Sequence, residues 1–336
     1  MAHEITQTNG VFEFAYRADH GAPWHVGDTG AERAMPVTDL NDVDAWKRHA
    51  GMQWEARRSR VRFGEGANQR TWDDQHVLYR NDTKAPLGIV SPGYKIVQPG
   101  EMFELFRDIV GVGGLQLSAA GTTFGGREFW ATAKFCGGSV GSRSDMVQGF
   151  VLIHSSLDGS RATTVRRVLE RAVCNNTIQM AFRENQKAGA VCKVSHRSVF
   201  DAEAVKAYMG LNMDAWNNAK SAMLRLANKS VDKAAAENFV LRLLAPSQGA
   251  SSYIPSSVIE KVEASAGYSK VLALFNGEGK GSELEGVQGT AWGLLNAVTD
   301  YADHHVRATS GANRWASAQF GPGADLKAKA LDLLTV

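Results

Sequence analysis

The residues best equipped for chemistry in this chain are arginines, and they fall in two runs. Between residues 150 and 182, FVLIHSSLDGSRATTVRRVLERAVCNNTIQMAF sets Arg161, Arg166, Arg167 and Arg171 just beyond Asp158-Gly159, a dipeptide that supplies the positive φ of tight turns between strands. Between 53 and 63, QWEARRSRVRF alternates so that Trp54, Ala56, Arg58, Arg60 and Arg62 share one side of a strand. Same-side residues of a strand recur at roughly 6.6 Å, close to the phosphate spacing of an extended nucleic-acid strand. A guanidinium row beside an aromatic ring therefore suits gripping a backbone and stacking a base. The plain alternative is an edge strand charged against aggregation. In REFWATAKF (127–135), alternation turns Phe129, Ala131, Ala133 and Phe135 to the core and Glu128, Trp130, Thr132 and Lys134 outward. Trp130 and Lys134 then extend the same chemistry, or form a subunit contact.

Two other stretches invite chemistry. Asn296, Asp300 and His304 recur every four residues, so Asp300 and His304 fall on one helix face where they can share a divalent metal or a proton. The plain alternative is a hydrogen-bonded face packed on another helix. GEGKGS (277–282) resembles a phosphate loop but lacks its spacing: Leu274 stands where the first glycine belongs, and Gly281 follows Lys280 where Ser or Thr would bind magnesium. No nucleotide cofactor is expected.

The elements that must position these residues read as α+β, an antiparallel, hairpin-rich sheet packed on helices and followed by a mainly helical C-terminal region. VDAWKRHAG (43–51) has the charges and closing glycine of a short helix. HVLYR (76–80) pairs with the 53–63 strand across the polar GEGANQRTWDDQ, and LGIVSPGYKIVQ (87–98) gives two short strands broken by Ser91-Pro92-Gly93. PGEMFELFRDIVG (99–111) is a helix with one apolar stripe, and residues 115–124 and 127–135 form a hairpin around Gly125-Gly126. After the returning strand at 163–173, Asn175 or Asn176 caps a helix that Ile178, Met180, Ala181 and Phe182 continue. From about residue 200, helical spacing dominates, with Ser230 as an N-cap and a last long helix over 285–308. The expected segments are 1–84 with the basic hairpin, a central α+β domain over 85–200, and a helical region over 201–336.

Charge is uneven although the net is only +2. Residues 1–45 carry two Lys/Arg against eight Asp/Glu, residues 46–80 eight against four, and residues 150–200 eight against three. Local field follows this distribution rather than the total. Cys136, Cys174 and Cys192 lack C-x-x-C spacing, which disfavours a disulfide framework and a structural zinc site. His25, in APWHVGDTG (22–30), has no second histidine near it in the pattern and reads as structural. The opening MAHEITQTNG has no signal-peptide pattern and no run of 18 apolar residues occurs, so a cytoplasmic location is expected and no membrane partner.

LGIVSPGYKIVQPGEMFELF, the DGS turn followed by VLERAVCNNT, the late WGLLNAVTDYADHHVRATSGANRWASAQFGPGADLKAKALDLL and the early PWHVG together resemble the phage/plasmid-like protein family, whose core is a domain of unknown function. The resemblance spans nearly the whole chain. It implies a mobile-element setting, in which replication, recombination and host defence are the usual business, and it assigns no catalytic residue.

Together these readings lead to an ATP-independent protein that binds and anneals single-stranded DNA, works as a homo-oligomer, and needs no cofactor. Two other classes stay open: a structural or regulatory oligomer meeting a host defence, and a metal-dependent nucleic-acid enzyme built on Asp300, Asp303, His304 and His305.

Overall fold

The computed structural model describes residues 5–20, 31–113, 115–140, 145–171, 176–178, 191–194, 213–246 and 253–335. The chain is α+β. It divides into two compact units: residues 1–135, 150–167 and 185–211, and residues 136–149, 168–184 and 212–336.

The first unit begins with three short strands, β1 (Gln7–Thr8), β2 (Val11–Phe12) and β3 (Phe14–Tyr16). Helix α1 (Val43–His49) follows, capped by Asp42, whose carboxylate accepts from the backbone N–H of Asp44, with basic residues in its last turn. Then β4 (Ala56–Phe63), β5 (Arg70–Arg80) and β6 (Pro86–Val90) form a separate antiparallel sheet in that order. The second strand expected within 87–98 is not formed: after Val90 the chain turns at Ser91–Tyr94 and runs without strand pairing to helix α2 (Pro99–Gly113), the Pro92 and Tyr94 carbonyls accepting from the Arg58 side chain instead of from a neighbouring strand. The remaining strands are β7 (Gln116–Thr123), β8 (Glu128–Ser139), β9 (Met146–Ser156), β10 (Thr163–Arg171), β11 (Asn176–Ile178) and β12 (Val191–Val194). They hydrogen-bond in the order β11-β10-β9-β8-β7-β3, and β12 also pairs with β10. The division between units crosses β8, β9 and β10.

The core of the first unit gathers Trp46, Met52, Trp54, Leu78, Phe103, Phe106, Phe129, Val151, Ile153 and Val165, drawn from both sheets and both helices. Trp130 is part of the interior too, at 1% exposed, which corrects its expected outward aspect. Alternation separates two faces of a strand without saying which meets water, and here both are covered. Gly121 stands opposite Trp130 in register, and a Cβ there would lie 3.3 Å from the indole, so the missing side chain is what seats the ring. Phe14 lies 6.1 Å from it, centroid to centroid.

Asn176–Ile178 is a strand pairing with Leu169–Arg171, not the helix start expected there. Polar Asn and Thr at its head suit a cap as readily as a turn, and pairing with β10 settles the matter. Met180, Ala181 and Phe182, like the His25 loop, Cys174 and Asn175, lie outside the described residues.

The second unit contains helices α3 (Met213–Ala227), α4 (Lys233–Leu244), α5 (Ser256–Glu263), α6 (Ala266–Ala273), α7 (Ala291–Asp300), α8 (Gly311–Phe320) and α9 (Pro322–Thr335). Asp232 caps α4 in place of Ser230, accepting from the Ala235 N–H, while Ser230 bridges Thr290. All ten residues of α7 are buried, with α3 and α9 packed on it. It starts later than expected, at the Thr290 cap, because 279–290 is a chain of turns. Two buried polar pairs lie in this unit: Trp292 Nε1 donates to Asp145 at 2.8 Å, and Lys327 meets Asp303 at 2.7 Å. Gly279-Lys280 follows α6 and a π-helical turn (Leu274–Glu278), where a phosphate loop would follow a strand.

Candidate nucleic-acid interface

The strands β4 and β5 make a two-stranded ribbon whose root is buried and whose outer part is open to solvent on both faces. At the root, Ala56 pairs with Arg80 and Arg58 with Leu78. Arg80 is fully buried: its guanidinium lies 4.2 Å over the Trp54 ring, meets Glu13 at 2.6 Å, and donates twice to Asp82 at 3.0 and 2.7 Å. Glu13 also accepts from Thr8 and Thr122, each at 2.6 Å. Burial works against the Arg80 charge, and the two carboxylates outweigh it, so its pKa rises above the ordinary value. These contacts tie the ribbon root to Glu13, Asp82 and Trp54, and losing one partner of such a buried pair is costly.

Outward from the root, register assigns the faces, because directly opposed residues share a face. Arg58, Arg60 and Arg62 lie on one face with Leu78, His76 and Thr71 as partners. On the other lie Arg57, Ser59, Val61 and Phe63, partnered by Tyr79, Val77, Trp72 and Arg70, with Ile89 opposite Val77 on β6. Between Arg60 and Val61 the ladder shifts, so that Asp73, Asp74 and Gln75 form a bulge on β5. Such an insertion re-aims the strand beyond it, and here it brings Trp72 opposite Val61. Gly64, at φ +99°, turns the tip, where a Cβ would come within 2.7 Å of the Asn68 carbonyl oxygen.

The arginine row is therefore real in geometry. Arg58 donates to the carbonyls of Pro92 at 3.0 Å and Tyr94 at 2.6 Å, which orients its guanidinium without neutralising it. Arg57 pairs with Glu55 at 2.6 Å. Arg60, Arg62 and Arg70 are exposed, and no carboxylate pairs with them among the described residues. Trp54, expected at the head of this row, is 5% exposed beneath Arg80 and has no face left for a base. The exposed rings are Trp72, at 47%, and Phe63, at 54%. Strand periodicity singles out neither, because Trp72 sits in a polar stretch whose alternation the bulge interrupts and Phe63 sits at the very end of its strand.

The other arginine run is built differently. At the β9–β10 turn, Glu128 is buried and accepts from Arg161 Nε at 3.1 Å, with His154 Nε2 at 3.0 Å. The Ser156 hydroxyl donates to the Arg161 carbonyl and accepts from its N–H, and Ser155 meets Thr163 at 2.8 Å. Arg166 is 8% exposed, its pKa pulled down to about 10 by burial and by Arg161. Arg167 is half-buried and also lowered by burial. Of the arginines expected here to bind nucleic acid, Arg161 closes a turn and Arg166 is interior. The Arg171 side chain lies outside what is described. Lys134 is half-buried.

Asp300 pairs with His305 at 3.2 Å and also acts on His304. Tyr301–His305 is a π-helical turn, whose bonding runs i→i+5. Burial pushes the His304 pKa down to about 4, against the pull of Asp300. Among the described residues, no three His, Cys, Asp or Glu side chains converge to hold a metal. No helix among them is long and apolar enough to cross a membrane.

A family model described as a domain of unknown function, DUF932, matches residues 86–319, and the chain belongs to that family. No curated protein and no solved structure matches it.

Proposed function

From membership in a family defined without an activity, we propose, on this chain's own residues, an ATP-independent protein that binds single-stranded DNA and promotes annealing, in the recombination or replication of a phage or plasmid. The observation that carries the reading is the exposed row of Arg58, Arg60 and Arg62 on one face of a ribbon held at its root by Arg80. Guanidiniums at strand spacing suit successive phosphates of an extended strand, and phosphate contacts supply most of the affinity of sequence-independent binders. The resemblance to phage/plasmid-like proteins, carried by the SPGY, DGS and C-terminal motifs, supplies the mobile-element setting.

Fluorescence anisotropy with a labelled oligothymidine at low salt tests the reading. Arg60→Ala with Arg62→Ala is expected to weaken binding by about tenfold or more, and renaturation of complementary strands without ATP to slow in parallel. No binding at low salt, or binding indifferent to both substitutions, overturns it.

A further inference from the structure

We infer that the opposite, aromatic face of the ribbon is a stacking surface for unpaired bases, with Trp72 as its principal ring and Phe63 beside it. This deepens the nucleic-acid reading of the ribbon and rests on it. Large apolar groups are rarely left this open together without a ligand or partner, and three are here: Phe63, Trp72 and Ile89 are each about half exposed, and Val61 and Val77 extend the strip between them.

The choice of occupant follows from what shares the face. Phe63 stands directly opposite Arg70, and Arg57 lies nearer the root, opposite Tyr79. Tyr79 itself carries the Lys84 ammonium 6.0 Å from its ring. Over residues 57–74 the ribbon has five arginines against three acidic residues. A second copy docked face to face would bring two arginine-bearing faces together, and like charge on both sides weakens such a contact. A single strand offers what the face lacks: a phosphate for Arg70, and π-faces for Trp72 and Phe63. Duplex DNA keeps its base faces stacked internally, so it can use the arginines and leave the rings idle. The aromatic face is thus the side of the ribbon that discriminates single strand from duplex, and the arginine face is the side that takes either.

Oligonucleotides carrying 2-aminopurine report stacking directly, and each is compared with its duplex by anisotropy. The wild-type protein is expected to change 2-aminopurine fluorescence on binding. Trp72→Ala should abolish most of that change and lower the preference for single strand over duplex by about fivefold to a hundredfold, as loss of about one to three kcal/mol per base stack implies. Trp72→Phe should restore most of both. Retained strand binding with a fluorescence change and preference unaffected by Trp72→Ala, or by Trp72→Ala with Phe63→Ala, overturns the inference and leaves the arginine reading standing. Absence of binding to any oligonucleotide at low salt overturns the reading and the inference together. If the double substitution instead dissociates an oligomer, measured by light scattering, and leaves strand preference alone, the face is a contact between copies and the inference fails.

Discussion

Two hairpins carry several arginines each, and the fold places them in opposite surroundings. In the β4–β5 ribbon, Arg60, Arg62 and Arg70 stand in solvent, and the one buried arginine, Arg80, is held by two carboxylates. At the β9–β10 turn, Arg161 is tied to buried Glu128 and Arg166 is interior. The difference lies in what covers the strands. The ribbon belongs to a three-stranded sheet whose outer end packs against nothing among the described residues, whereas β10 is hydrogen-bonded between β9 on one side and β11 and β12 on the other. Charge count alone cannot separate a surface that recruits a polyanion from a turn that needs a counter-ion for a buried carboxylate.

The comparison is easiest to break at Glu128. Glu128→Ala is expected to lower the unfolding free energy by about 1–3 kcal/mol, since it leaves partly exposed Arg161 and buried His154 without their acceptor, and urea denaturation measures it. Strand affinity of the folded protein should not change. If Arg161→Ala weakened DNA binding as strongly as the ribbon substitutions while sparing stability, the division between the hairpins would be wrong.

A smaller effect sharpens the other side. Arg60→Ala with Arg62→Ala should shift stability by no more than about 0.5 kcal/mol, as exposed substitutions do. The same pair should flatten the dependence of log affinity on log salt by about 0.7 for each phosphate no longer neutralised, about 1.4 for the two. Titrating affinity against salt for wild type and variant checks both the sign and the slope.

The smallest expected difference is in pH response. Burial holds His154 below the ordinary histidine value of 6.5, against the pull of Glu128. The unfolded chain therefore takes up a proton before the folded one does, and the contribution of His154 to stability, complete above about pH 6.5, is lost as pH falls toward its folded pKa. Unfolding midpoints at pH 7.5 and 5.5 should show this decline, and His154→Asn should reduce it. Guanidiniums as a class keep their charge across the same range, so DNA binding is expected to show no matching pH dependence.

Much of the fold is legible from pattern. QWEARRSRVRF alternates and forms β4, VDAWKRH lies between the Asp42 cap and Gly51 and forms α1, and Asp158-Gly159 turns β9 into β10. Failures cluster where local pattern has two solutions. Asn176 suits a cap or a strand end, and pairing with β10 chooses the strand. The candidate site is half legible: Arg58, Arg60 and Arg62 announce themselves by period, whereas Phe63, Trp72 and Arg70 acquire a shared face only when the bulge sets their register.

What the amino-acid sequence determined by itself is therefore the period-two placement of Arg58, Arg60 and Arg62, because alternation is a property of a single extended strand. Which aromatic rings stay open was decided by tertiary structure alone. Trp54 and Trp130 are as conspicuous in the sequence as Trp72, yet Arg80 covers the first and Phe14 and Gly121 enclose the second, while nothing among the described residues folds back over the third. Exposure depends on what packs against a side chain from distant parts of the chain, and no local spacing encodes that.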